Sequence, residues 1–378
     1  MRSFGAIVGP LAIVFALAMP APLRAQSPLL EEAIGLAGPA MFITSGAPGM
    51  LLVVVRGRDT VIQGYGETKK GNQQEPNGKS LLRLGSITKV FAGELLGSLV
   101  VDGKLRLADA LGRFGPPGAT VPKFGDREIT LLDLATHSAG LPREMGYAPE
   151  GTPPFTWPTS AARWAWLSGF RPQWAPGTVA AYSNVGFDLL ADALSTAAGT
   201  PYAGLLQQRI TGPLGMRDTG LTPSADQCAR LMTGSGLGGP GECRDTQATA
   251  GSGGLYSTAD DMAVWLRHNL ATSDPKVWPT LVTAHAVYRQ RQAMIAAIGF
   301  DEAGPMDGIG LGWLTLAARG HLPMIVDKSG GGGGFMTFIA FAPGRDVGVF
   351  VAVNRVDFAM FNALTAAATE LIASLAPR

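Results

Sequence analysis

Ser86-Ile87-Thr88-Lys89-Val90-Phe91-Ala92-Gly93-Glu94-Leu95-Leu96-Gly97-Ser98-Leu99-Val100-Val101-Asp102-Gly103 is the stretch at which the chain changes period. Its apolar residues return every three or four positions and Asp102-Gly103 supplies a stop, so a long helix over 86–105 is expected. Upstream, 50–55 and 60–65 read as two strands joined by the polar turn Arg56-Gly57-Arg58-Asp59. Downstream, helical spacing persists, with helices expected over 187–198 and 258–270, the second opening on Ser257-Thr258 as capping residues. Strands then return at 310–317, 324–328, 335–342 and 347–354, and 358–375 closes the chain as a helix. Strands at both ends with helices between predict an α/β fold of the α+β type. A sheet part (about 30–85 and 300–378) receives an inserted, mostly helical part (about 86–299). The junction of two such parts is a favoured place for a ligand cleft.

The first residues read as a secretory signal over 1–25. Arg2 gives the positive start, 4–19 is apolar but for Pro10, and small residues precede a cut after Ala25. The alternative, a membrane anchor, needs about 20 apolar residues, and this run is shorter. No later stretch reads as long and apolar enough to span a bilayer. The expected mature chain, 26–378, is a single exported unit, periplasmic if the organism has two membranes. Export bears on Cys228 and Cys243, fifteen residues apart around a glycine-rich loop. An oxidising compartment favours a bond between them, which the loop model values at about 3 kcal/mol. Two buried free thiols remain the alternative, and either way the pair is structural.

Composition removes whole classes of function. The 30 Lys+Arg balance 29 Asp+Glu, and no basic block stands out, so no nucleic-acid partner is expected. Charged residues are 16% against 46% hydrophobic, which excludes a disordered chain of 378 residues. Two cysteines, four histidines and no His-Glu-x-x-His give no basis for a metal site, and no cofactor is expected.

Three short motifs carry the chemistry. In Ser86-Ile87-Thr88-Lys89 the hydroxyl and the amine share one helix face, three residues apart. Serine is a weak nucleophile until a base takes its proton, and a lysine serves as base only where burial or a second cation strips its charge. Ser273-Asp274-Pro275-Lys276 repeats the pattern, but with a proline and in a polar loop, so it reads as the chance copy. In Tyr182-Ser183-Asn184, expected in the loop before the helix at 187, a tyrosine between cations can pass a proton, and an amide can hold a lysine. In Lys328-Ser329-Gly330, expected at the end of a strand and followed by glycines 331–334, an amine and a hydroxyl can meet a substrate carboxylate. The backbone N–H groups of Ser86 and Gly331 are natural candidates for an oxyanion hole. The glycine run is not followed by Gly-Lys-Ser/Thr, which argues against a phosphate cradle.

The order Ser-x-x-Lys, Tyr-x-Asn, Lys-Ser-Gly resembles the serine penicillin-recognising enzymes: class C β-lactamases, D-alanyl-D-alanine carboxypeptidases and related esterases. Further stretches resemble the AmpH-type carboxypeptidase/endopeptidase branch. They are Leu134-Ala-Thr-His-Ser-Ala-Gly-Leu-Pro-Arg-Glu144, Ala181-Tyr-Ser-Asn-Val-Gly-Phe-Asp-Leu-Leu-Ala-Asp-Ala-Leu194, Asp226-Gln-Cys228 with its later partner Cys243, Gly251-Ser-Gly-Gly-Leu-Tyr-Ser-Thr258 and Lys328-Ser-Gly-Gly-Gly-Gly-Gly-Phe335. The likeness runs from about 49 to 354, and Ser329 stands where many relatives carry threonine. It implies a β-lactamase/transpeptidase-like fold with an antiparallel sheet. Ser86 is then the acylated nucleophile, Lys89 its proton acceptor or relay, and Tyr182 the base or the acid for the leaving amine. Asn184, Lys328, Ser329, Gly330 and Gly331 bind substrate, and the implied partners are peptidoglycan stem peptides and β-lactams. A β-lactamase or esterase on the same fold, and a non-catalytic cell-wall-binding protein, stand as alternatives.

Overall fold

The computed structural model describes Met1 and residues 28–237, 239, 241–300 and 305–376. The expected signal segment, Met1 apart, lies outside the described residues. Eight strands form one sheet: β1 (Gly49–Arg56), β2 (Asp59–Gly66), β3 (Arg289–Gln290), β4 (Gly308–Ile309), β5 (Leu314–Leu316), β6 (Ile325–Gly332), β7 (Phe335–Ala342) and β8 (Val347–Val353). Their order is β2-β1-β8-β7-β6-β5-β4-β3, and every neighbouring pair is antiparallel. Among the helices of the described residues, those that bear on the sheet and the site are α1 (Pro28–Ser45), α2 (Thr88–Val101), α3 (Asn184–Ala198), α4 (Ala259–Leu270), α5 (Trp278–His285) and α6 (Phe358–Leu375).

The central strands are apolar throughout because both faces are covered. On one face Leu51, Val53, Val55, Ile339, Phe341 and Phe350 join the core built with α2, α3 and α4. On the other, Met50, Leu52, Val54, Ala340, Val349 and Val351 pack under α1 and α6 through Ile34, Leu364, Ala368 and Ile372. The molecule is therefore three layers, with α2 buried on nearly every side between the sheet and the helical part.

Several sequence expectations change. The helix expected from 86 starts as a tight turn, Gly85–Ile87, before α2 proper, and ends at Val101. Of the strand expected over 310–317 only β5 (Leu314–Leu316) forms, because Gly312, at φ +83°, turns the chain between it and β4 (Gly308–Ile309). Asn184 is not in a loop: Ser183 caps α3 through its Oγ, and Asn184 is the first helical residue. The strand expected to stop at Lys328 runs on to Gly332, since β7 pairs with it as far as Gly332–Phe335. Lys328 is thus inside a strand. Arg289–Gln290, placed in the helical part by sequence, joins the sheet edge. Finally, α6 is long and apolar enough to cross a membrane by length and composition, contrary to expectation, although Phe361, Leu364, Ala368 and Leu371 bury one face on the sheet.

Candidate active site

β5 pairs with β6 only from Ile325 to Asp327, so beyond that point no strand among the described residues covers the edge of β6. The turn Gly85–Ile87 packs, backbone to backbone, on the face of β6 that looks toward the helical layer. A Cβ on Gly330 would stand 2.1 Å from the Leu84 carbonyl oxygen, and one on Gly85, at φ +53°, would stand 2.6 Å from the Gly331 nitrogen. Glycine at both places is what lets Ser86 meet the strand. Thr337 on β7 fixes the approach by donating to the Leu84 carbonyl at 2.8 Å.

The three motifs converge on one cleft. Ser86, Tyr182, Ser329, Gly330 and Gly331 line it together with Arg143 and Gly299. Lys89 Nζ, fully buried, donates to Ser86 Oγ at 3.1 Å, Asn184 Oδ1 at 2.6 Å and the Ser252 carbonyl at 2.7 Å. Asn184 reaches it from the first turn of α3, and its own amide donates to Glu144. The Tyr182 ring is surrounded by cations: Lys89 Nζ lies 4.9 Å from its centroid, Lys328 Nζ 5.3 Å and the Arg143 guanidinium 4.9 Å. Lys328 pairs with Ile339 on β7, so it faces the helical layer, whereas Ser329 pairs with Phe338 and faces the layer of α6. Lys328 also donates to the Ser329 carbonyl at 2.6 Å. Gly330 and Gly331 lie opposite Thr337 and Met336.

The electrostatics follow from burial. The Lys89 pKa is pushed well below the ordinary lysine value, first by desolvation, then by Lys328, with Asp188 opposing. A lysine so placed can take the Ser86 proton. Desolvation also pushes the His137 pKa well down, with Lys89 and Lys328 adding to it. Neutral His137 accepts from the Ser183 backbone N–H at 2.9 Å through Nδ1 and stacks on Tyr182 with centroids 4.3 Å apart. It supports the tyrosine ring; Ser138 beside it bonds to Thr136 instead.

Cys228 and Cys243 are joined by a disulfide, and neither lines the cleft. Their loop reaches the turn after β6, where Ser235 N–H donates to Gly334 O and Gly241 N–H to Gly333 O. Ser273 and Lys276 of the second Ser-x-x-Lys lie in an exposed turn before α5.

Asp188 and Ser252 escaped the sequence reading. Asp188, one helical turn beyond Asn184, accepts from the Gly251 and Ser252 backbone N–H groups at 3.1 and 3.0 Å and from Ser252 Oγ at 2.9 Å. It thereby fixes the carbonyl that holds Lys89. The only local signal was the i, i+4 spacing from Asn184.

The β-lactamase family model matches residues 33–374. D-alanyl-D-alanine-carboxypeptidase/endopeptidase AmpH of Escherichia coli (strain K12) is 42% identical over 335 residues, covering 89% of this chain and 86% of that protein. A β-lactamase of the same organism is 26% identical, over 82% of this chain and 84% of its own. The crystal structure of a β-lactamase/D-alanine carboxypeptidase from Yersinia pestis complexed with citrate superposes with a TM-score of 0.87 at 43% identity, covering 92% of this chain and 99% of that one. A class C β-lactamase structure shares the fold, with a TM-score of 0.76 at 20% identity over 94% of this chain and 99% of its own. The chain belongs to the β-lactamase family, as an AmpH-type homologue among its serine hydrolases.

Proposed function

We propose that this chain is an exported, periplasmic serine D-alanyl-D-alanine carboxypeptidase/endopeptidase, cutting peptidoglycan peptides through an acyl-enzyme on Ser86 and binding penicillins at the same serine. The observation that carries the reading is the buried Lys89 amine between Ser86 Oγ, Asn184 Oδ1 and the Ser252 carbonyl, beside a tyrosine ringed by cations. An extended peptide pairs with the uncovered edge of β6, placing its penultimate carbonyl over Ser86. Ser86 Oγ attacks that carbon while its proton passes to the Lys89–Tyr182 pair, which acts as one coupled unit. The oxygen that gains charge is held by the Ser86 and Gly331 N–H groups. Collapse breaks the C–N bond, the departing amine takes the proton back, and Ser329 with Lys328 holds its carboxylate. Water, deprotonated by the same pair, then frees the acyl group and restores Ser86.

The test is to follow D-alanine release from an N-acylated peptide ending in D-Ala-D-Ala, beside hydrolysis of nitrocefin. Release of D-alanine at a rate exceeding nitrocefin turnover supports the peptidase reading. Nitrocefin turnover without D-alanine release makes the chain a β-lactamase, and stable penicillin binding with neither makes it a non-catalytic binder.

A further inference from the structure

His137 touches Tyr182 on its ring and on both flanking peptides, yet it takes no proton in the reaction above. Its backbone carbonyl accepts from the Ala181 N–H at 2.8 Å and its Nδ1 from the Ser183 N–H at 2.9 Å, so one residue grips the chain on either side of the tyrosine. The Tyr182 N–H between them donates to the Ile298 carbonyl at 2.9 Å. The imidazole lies over the tyrosine ring, 22° from parallel with centroids 4.3 Å apart, and Phe300 meets both rings edge-on at 5.4 Å. Two local features of His137 are unfavourable. It stands at φ +56°, in the left-handed region where residues other than glycine are uncommon. Its Nε2 is buried with no hydrogen-bond partner among the described residues. A strained backbone and an unpaired donor, together beside a catalytic side chain, mark a residue held for what its own side chain does there.

We propose that His137 is a positioning residue for Tyr182: its neutral ring, with the proton on Nε2, fixes the tyrosine in the cleft that Tyr182 shares with Ser86. The inference rests on the acyl-enzyme reading above, in which Tyr182 and Lys89 pass the proton. The tautomer follows from geometry, because a ring nitrogen that accepts from the Ser183 N–H carries no proton of its own. Other side chains supply only half of the arrangement. Phenylalanine brings the ring but leaves the Ser183 N–H unpaired, and asparagine brings an acceptor without the ring. Charge matters as well. An imidazolium would lose the Nδ1 acceptor and add a further positive charge beside a tyrosine already faced by Lys89, Lys328 and Arg143. Burial, and then the same three cations, hold the His137 pKa well below the ordinary histidine value, so the ring stays neutral at neutral pH.

The experiment follows acylation of Ser86 by a fluorescent penicillin and separates the penicillin Kd from the maximal acylation rate. His137→Gly suits the backbone at φ +56° and removes both ring and acceptor. Its maximal rate should fall about 100-fold, the cost of a small displacement of a proton-transfer group. Kd should stay nearly unchanged, because His137 acts through the tyrosine and not on the ligand. His137→Asn also tolerates this backbone and offers Oδ1 to the Ser183 N–H, so it should recover about tenfold of the loss. A histidine with only a structural role would instead lower the melting temperature and the fraction of serine that penicillin titrates, with the rate at the remaining sites unchanged. That result, or a glycine variant as fast as wild type, overturns the proposal. If neither variant folds, nitrogen-15 NMR of the wild-type imidazoles decides: His137 should show a bare Nδ1 and a protonated Nε2 across about pH 6 to 8, and a proton on Nδ1 overturns the positioning role. A wild-type protein that is not acylated at Ser86 overturns the acyl-enzyme reading itself, whereas an acylated wild type with unchanged variants overturns only the role of His137.

Discussion

A lysine amine in water is almost wholly protonated at neutral pH. Lys89 departs from that because desolvation and the nearby Lys328 charge both disfavour its ionised form, while Asp188 partly restores it. Two substitutions should therefore move the acidic limb of the acylation profile in opposite directions. Lys328→Ala removes a like charge, so the Lys89 pKa rises, its neutral form appears only at higher pH, and the acidic limb shifts toward alkali. Acylation by a fluorescent penicillin should also fall about 100-fold, the usual scale for a disabled proton-transfer site. Arginine at 328 keeps the charge but not the compact ammonium, so it should hold the limb while restoring only part of the rate. Asp188→Asn removes the opposing charge, so the Lys89 pKa drops further and the limb shifts toward acid. The maximal rate should fall about tenfold with KM little changed, because Asp188 touches Ser252 and not substrate. Stopped-flow acylation across pH 5 to 10 checks both; shifts of the same sign would break the electrostatic account. Ser86, Lys89, Tyr182 and Lys328 were legible in the sequence because each lies in a short motif whose residue types suit one chemistry. Asp188 was not, since its partner Ser252 lies 64 residues away and only the fold joins them.

At the scale of elements, the glycine run after Lys328 decides where the nucleophile stands. Glycine is a poor strand former, which is why the sequence pattern ended the strand at 328. Pairing with β7 carries it on to Gly332, and the missing side chains leave room for the turn that holds Ser86. Gly330→Ala would set a methyl group 2.1 Å from the Leu84 carbonyl oxygen and 3.0 Å from the Ser86 nitrogen. We expect a stability loss of about 1–3 kcal/mol, read from denaturant melts, as for other overpacked sites. Acylation should fall more than about 100-fold, as when an oxyanion donor is displaced. Retained acylation with unchanged stability would show that the turn does not depend on this approach. The same weakness of local pattern explains two other misses. α1 carries Gly38-Pro39 in its middle and draws its helicity from packing Leu30, Ile34 and Met41 under the sheet. The turn Gly85–Ile87 has helical spacing, but contact with β6 tightens it. Apolar strands such as β1, β7 and β8, by contrast, were readable almost to the residue, because burial on both faces leaves an unmistakable run.

For the molecule as a whole, the cleft is the seam between the two sides of α2: one core ties it to the sheet, and the disulfide loop closes over the far end of β6. The Cys228–Cys243 bond shortens a loop whose glycines would otherwise wander, so replacing both by alanine should cost about 3 kcal/mol. Ser86 should still acylate in that variant, because the loop touches the turn at Gly333 and Gly334 and not the serine itself. Thiol counting on the denatured, unreduced protein should find none, and finding two per chain would remove this brace from the account. The central claim is that one serine, Ser86, carries the acyl group. The most direct measurement is mass spectrometry of the intact and digested protein after incubation with penicillin. The account predicts one added penicilloyl mass, on the peptide containing Ser86, absent from Ser86→Ala and present in Ser273→Ala. An adduct that persists in Ser86→Ala, or that maps to any other residue, would contradict it.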